Sequence, residues 1–179
     1  KFPADFSWGT ATASYQVDEG GPEVQTALMP PTPPPDELPD DSWGDLFSRR
    51  TAGRGHGEVS AWLRIVDGTG PDPAQQACAL AYLSDDLPTE AVVSLHPDAT
   101  PDQPFDNQFM SASLDHAIYF HRPVAADQWH LQTFTCHGLM SSRGVSVGYV
   151  FTTEGTHVGT IVQEVLLRKL RRITSSLRP

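Results

Sequence analysis

Two polar side chains sit where strand-like sequence is otherwise largely apolar. Asp115 lies in Ser113-Leu114-Asp115-His116-Ala117-Ile118-Tyr119-Phe120-His121-Arg122-Pro123, and Gln163 lies in Val162-Gln163-Glu164. Burying a carboxylate or an amide without a partner costs roughly 1–3 kcal/mol, so a strand that keeps such groups pairs them or uses them. A carboxylate that accepts a proton from water, beside an amide that fixes the same water, makes a hydrolytic pair. The plainer alternatives stay open at this point: an aspartate accepting hydrogen bonds from a turn, and a glutamine paired with backbone. His116 and His121 bracket the same strand, but no third ligand stands at fitting spacing, and they read as structural histidines rather than metal ligands. Tyr119, Phe120, Trp129 and Phe134 read as packing aromatics.

The elements that must position these groups follow from periodicity. From Glu58 to Val66 the chain alternates, with Val59, Ala61, Leu63 and Ile65 on one side and Glu58, Ser60, Trp62 and Arg64 on the other, the period of a half-buried strand. A helix follows, with Asp72 as N-cap, Pro73 at its first position and Gln75 placed to reach back in a capping box. Ala74, Ala77, Cys78 and Ala81 share one helical face, small enough to let a sheet approach, and Asp85, Asp86 and Pro88 close the helix. Four strand-like runs come next, at about 112–121, 129–137, 143–152 and 156–168, the last two joined by the tight Thr153-Glu154-Gly155 connection of an antiparallel hairpin. Strand, short helix and antiparallel meander define the α+β class, with the helix packed on one sheet face.

A chain of 179 residues forms one domain with a sizeable core and leaves room for tails. Residues 28–41 hold six of the 16 prolines, an uneven share, and read as an extended spacer. The expected division is an N-terminal segment 1–27, a Pro/Gly-rich acidic linker 28–57, a domain 58–168 and a basic tail 169–179. Residues 1–167 carry seven basic and all 22 acidic side chains, net −15, and residues 168–179 carry five basic ones, net +5. The acidic body argues against nucleic-acid binding. No apolar run approaches the roughly 20 residues of a membrane span, and the N-terminus lacks a secretory pattern. Cys78 and Cys136 have no metal-ligand spacing, so no metal, no cofactor and no disulfide are expected. A cytoplasmic location is the default, for a chain that begins at Lys1 as a processed chain or fragment would.

Residues from about Trp62 to Arg168 resemble the C-terminal half of the acyl-CoA thioesterase II family. The pieces that carry the likeness are Trp62-Leu63-Arg64; Asp72-Pro73 through Leu83-Ser84-Asp85; Ser113-Leu114-Asp115-His116 through Phe120-His121-Arg122-Pro123; Trp129; Ser142-Arg143-Gly144; and Val162-Gln163-Glu164 through Arg168. The resemblance implies a hot-dog fold, an antiparallel sheet wrapped around a central helix. In that family each chain carries two hot dogs, and a triad of Asp, Thr or Ser, and Gln sits on the second. Asp115 matches the aspartate and Gln163 the glutamine, while ungapped counting from Trp129 to Arg143 puts Cys136 or His137 at the hydroxyl position. Thr133, Thr135, Ser141 and Ser142 are the nearest hydroxyls. Residues 2–20 separately resemble the N-terminus of glycoside hydrolase family one, but the paired catalytic glutamate motifs of that family are absent downstream.

What the resemblance implies is an acyl-CoA thioesterase that hydrolyses fatty acyl-CoA with a water held by Asp115 and Gln163, with His137 or a nearby hydroxyl as third contact. The acyl chain would lie along apolar strand residues and the small-residue helix face, and Arg122 and Arg143 are candidate contacts for the phosphates of coenzyme A. Open sheet edges point to a homo-oligomer or to pairing with a second hot-dog domain. The alternatives are a non-catalytic hot-dog module that binds acyl groups or a partner subunit and, more distantly, a glycosidase fragment.

Overall fold

The computed structural model describes residues 23–66, 68–100 and 103–170. Its elements are β1 (Phe47–Gly55), β2 (Glu58–Ile65), α1 (Pro73–Leu83), α2 (Pro88–Leu95), β3 (Phe109–Ser113), β4 (Ala117–Phe120), β5 (His130–Met140), β6 (Arg143–Thr152) and β7 (His157–Lys169). The strands form one antiparallel sheet in the order β1-β2-β5-β6-β7-β3, with β4 also paired to β7. This is the hot-dog fold, a curled sheet around a helical core. No helix among the described residues is long and apolar enough to cross a membrane.

The alternation read from the sequence places β2 correctly: Val59, Ala61 and Leu63 face inward and are at most 2% exposed. On β6 the close packing falls at glycines. A Cβ on Gly144 would come within 2.4 Å of Val92, and one on Gly148 within 2.3 Å of the Phe134 ring. The Thr153-Glu154-Gly155 connection closes the β6–β7 hairpin, with Gly155 at φ +84°.

The helical core differs from expectation in three ways. Asp72 caps α1, accepting from the Ala74 N–H at 3.0 Å, but it is Gln76 rather than Gln75 that locks the helix start. The Gln76 amide donates to the Gly70 carbonyl at 2.8 Å and accepts from the Ala126 N–H at 2.6 Å. The inward face of α1 is Gln76, Ala79, Leu80 and Leu83. The small-residue stripe faces outward: Ala74 and Cys78 are exposed, Ala77 and Ala81 half-buried, because the larger apolar residues of the helix displace alanines from the core. An acyl chain lying on that stripe would lie outside the sheet. Finally, Pro88 starts a helix rather than ending one. Proline suits a first helical position, and α2 carries Ala91 and Val92, both fully buried, against β2, β5, β6 and β7.

The outer face of the sheet is also covered. Residues 23–41 run across it as a strap, with Ala27, Met29 and Leu38 packed on Trp62, Leu131 and Phe151. The Trp62 indole N–H donates to the Pro33 carbonyl at 2.8 Å, so Trp62 is 2% exposed rather than solvent-facing. The segment expected as a linker, 28–57, thus contains both this cover and β1. Arg49 of β1 is buried and binds Asp86 at 2.9 Å and Glu90 at 2.7 Å, with Asp41 of the strap at 3.6 Å. One guanidinium therefore ties strap, edge strand and helix junction together. Burial pushes the Asp86 carboxyl upward, against the opposing pull of Arg49 and of the Trp43 indole N–H.

Candidate active site

The site grows out of an interruption in the ladder on β7. Pairing of β3 ends at Ser113 opposite Val165, and pairing of β4 begins at Ala117 opposite Val162. Three residues, Leu114 to His116, thus face two, Gln163 and Glu164. The Leu114 N–H donates to the Glu164 carbonyl at 2.8 Å, which leaves the Glu164 N–H without a strand partner. The Asp115 carboxylate fills that place, accepting from the Glu164 N–H through Oδ1 at 2.7 Å. Asp115 is exposed, and its Oδ2 has no protein partner among the described residues. One oxygen is spent on structure and the other faces outward.

Gln163 stands behind this loop. It points inward between Ile161 and Val165 and has no exposed surface. Its Nε2 donates to Ser113 Oγ at 2.9 Å, and its Oε1 meets His116 Nδ1 in a short contact. Ser113 Oγ in turn donates to Asp85 Oδ1 at 2.9 Å. On its other side the His116 imidazole places Nε2 2.7 Å from Ser84 Oγ, and Ser84, the fully buried C-cap of α1, bonds the Ala81 carbonyl at 2.8 Å. Asp115 and Gln163 are thus gathered at one place: the carboxylate binds the backbone of the residue after Gln163, and the amide grips the residues on either side of Asp115. Beside them opens a cleft of about 390 Å³, walled by Trp43, Phe47, Tyr82, Leu83, Ser113 and His116.

His137 is not part of this gathering. It is the extra residue of a bulge on β5, exposed, and makes no hydrogen bond to Asp115 or Gln163 among the described residues. Cys136 beside it points inward, opposite Ser146, which itself lies opposite Gln163. Burial pushes the Cys136 thiol upward, which disfavours the thiolate that nucleophilic chemistry needs. Thr133 and Thr135 alternate onto the outer face with Leu131, and Ser141 and Ser142 form the β5–β6 turn with positive φ.

The two arginines lie apart from one another. Arg143 is 59% exposed and pairs with Glu164 at 3.5 Å. Arg122 is held by the His157 carbonyl at 2.6 Å and by Glu23 of the strap at 3.3 Å. Sequence reasoning missed Ser84, Asp85 and the bridge that His116, itself exposed, makes between Gln163 and Ser84, although Ser113 and His116 flank Asp115 in the same motif. The available signal was that flanking, since residues next to a bulged carboxylate are carried into its surroundings. Among the described residues no three His, Cys, Asp or Glu side chains are gathered as metal ligands.

The fold and this interrupted strand define a hot-dog domain of the thioesterase kind, and comparison with known proteins fixes the family. The model of the acyl-CoA thioesterase C-terminal domain matches residues 22–167, and the chain belongs to that family. It is 31% identical over 116 residues to acyl-CoA thioesterase 2 of Haemophilus influenzae, covering 62% of this chain and 37% of the relative. It is 26% identical over 202 residues to acyl-coenzyme A thioesterase 8 of Rattus norvegicus, covering 92% of this chain and 60% of the relative. The chain therefore spans between about a third and three fifths of these relatives' length. Among solved structures it resembles an acyl-CoA thioesterase II from Mycobacterium marinum, with TM-score 0.69 and 27% identity over 84% of this chain and 59% of that one. A hot-dog protein of unknown function from Alicyclobacillus acidocaldarius, TM-score 0.66 at 16% identity over 85% of this chain and 59% of that one, shares the fold. The comparisons give no support to the glycoside hydrolase likeness of residues 2–20, which lie outside the described residues.

Proposed function

We propose that this chain hydrolyses fatty acyl-CoA thioesters with a water activated by Asp115. The observation that carries the reading is the divided carboxylate: Oδ1 is fixed by the Glu164 N–H at 2.7 Å, while Oδ2 has no protein partner among the described residues, on the loop whose Ser113 and His116 wall the cleft. Water donates one proton toward Oδ2 and attacks the thioester carbonyl. The carbon–sulfur bond then breaks, and the thiolate of coenzyme A takes a proton as it leaves. Gln163 acts from beneath by holding Ser113, whose hydroxyl accepts from the amide, donates to Asp85 and keeps one lone pair for the water's second proton. Ser113, a hydroxyl outside the four expected from the sequence, makes the third contact in this reading, and His137 at the β5 bulge is the rival. The exposed guanidinium of Arg143, beside Glu164, is offered to the phosphates of coenzyme A. The family's relatives are longer than this chain, so a second hot-dog domain or a second copy of the chain completes the acyl channel in this reading.

Asp115→Asn separates chemistry from structure, because an amide oxygen still accepts from the Glu164 N–H but no longer takes a proton. We expect release of free thiol from acyl-CoA to fall by about 100-fold or more in kcat, with Tm shifted by no more than a few degrees. Unchanged turnover would sink the assignment. A second reading, a non-catalytic module that binds acyl groups or a partner, is favoured by the full burial of Gln163, whose two amide atoms are both already engaged. Acyl-CoA binding without turnover, across short to long chains, would select it.

A further inference from the structure

We propose that His116 is a positioning residue of the hydrolytic site, acting through Gln163; the proposal rests on the hydrolytic reading above. The imidazole joins the catalytic loop to two elements at once, with Nδ1 on Gln163 Oε1 and Nε2 2.7 Å from Ser84 Oγ. The proton inventory gives this link a direction. An amide presents an oxygen at one end and an NH₂ at the other, and only the oxygen can accept. With the ring's proton on Nδ1 and Nε2 bare, Ser84 gives its one hydroxyl proton to Nε2 instead of to the Ala81 carbonyl. His116 then donates to Gln163 Oε1, the Gln163 NH₂ must face Ser113, and Ser113 must give its single proton to Asp85. With Nδ1 bare, the amide turns over, its oxygen takes the Ser113 proton, and Asp85 loses its donor. One imidazole proton therefore decides which lone pairs of Ser113 are free and whether Asp85 keeps its donor, two residues before Asp115.

Nothing in a purely structural strut requires that polarity. An anchor between the loop and α1 would need only the Ser84 contact, since Ser84 is the fully buried C-cap of that helix. Gln163 would then be held well enough by Ser113 alone. The two nitrogens of His116 thus carry separable roles, and two amide side chains reproduce them one at a time. Asparagine places its NH₂ where Nδ1 stands and keeps the donor to Gln163, while glutamine reaches the place of Nε2 and keeps the contact with Ser84.

The test compares His116→Asn, His116→Gln and His116→Ala in thioester hydrolysis, with Tm measured alongside. His116→Gln and His116→Ala are expected to lose 10- to 100-fold in kcat with KM within about threefold of the wild type, and His116→Asn to recover at least tenfold over His116→Gln. Equal activity of the asparagine and glutamine variants, or losses confined to KM, would overturn the proposal while leaving the hydrolytic reading intact. Absence of turnover in the wild type would instead remove that reading, and this one with it. Should the variants fold poorly, the wild-type protein decides: nitrogen-15 correlation spectra of the His116 ring must show a proton on Nδ1, and a bare Nδ1 refutes the assignment.

Discussion

His130 gives the sharpest physical handle on this fold. It is 1% exposed on the inner face of β5, with Nδ1 3.1 Å from the Gln128 carbonyl and Nε2 3.2 Å from the Gln132 amide nitrogen. Those contacts suit a neutral ring that donates from Nδ1 and accepts at Nε2. A second proton would have to sit against an NH₂ group in the core. Burial lowers its pKa from 6.5 to about 4, against the smaller opposing effect of the Gln128 bond. Because the folded value lies below the unfolded one, the stabilisation is complete above about pH 6.5 and is lost as pH falls toward 4. At about 1.4 kcal/mol per pH unit the whole span is worth about 3 kcal/mol, of which about 2 kcal/mol is gone by pH 5. The measurement is urea unfolding of the wild type and His130→Asn between pH 7.5 and 4.5. Asparagine keeps a donor for the Gln128 carbonyl and does not titrate. His121 and His157, also lowered chiefly by burial, steepen both curves alike, so the difference between proteins isolates His130. The wild type should lose about 2 kcal/mol more than the variant by pH 5, or roughly 4–8 °C in Tm. Parallel curves would refute the account.

Two further outcomes follow from packing and charge. Arg49→Met leaves Asp86 and Glu90 facing each other without their shared cation, and should cost about 3–5 kcal/mol in urea unfolding, far more than loss of a surface pair. Gly148→Ala drives a methyl group to within 2.3 Å of the Phe134 ring and should destabilise by about 1–3 kcal/mol, with Phe134→Leu in the same chain restoring part of the loss.

The pattern of legibility has physical causes. Period-two alternation located β2 and the meander because each strand has a face that must be buried, and that requirement is written locally. The same logic failed at Trp62, where the second face is covered by a segment some 30 residues earlier in the chain, a contact that no local pattern encodes. It failed again on α1, where a stripe of alanines looked like a contact surface although Leu80 and Leu83, with more area to bury, claim the core. Pro88 carried two meanings, and only the packing of Ala91 and Val92 shows which applies. In the site, Asp115 and Gln163 were visible as polar residues out of place. What the sequence hid was the three-against-two mismatch on β7 that makes room for the carboxylate, because register belongs to a pair of strands rather than to one.

The strap has a consequence for where this domain begins. Trp62, Leu131 and Phe151 are at most 2% exposed, with Ala27, Met29 and Leu38 laid over them. A fragment cut at Glu58 would shed that cover and β1 together. It would present three large apolar side chains beside a bare β2 edge, the combination that drives sheets to associate. The smallest piece that can be transplanted, recombined or fused to another protein is therefore the sheet with its proline-rich sash, and a viable joint falls before Glu23.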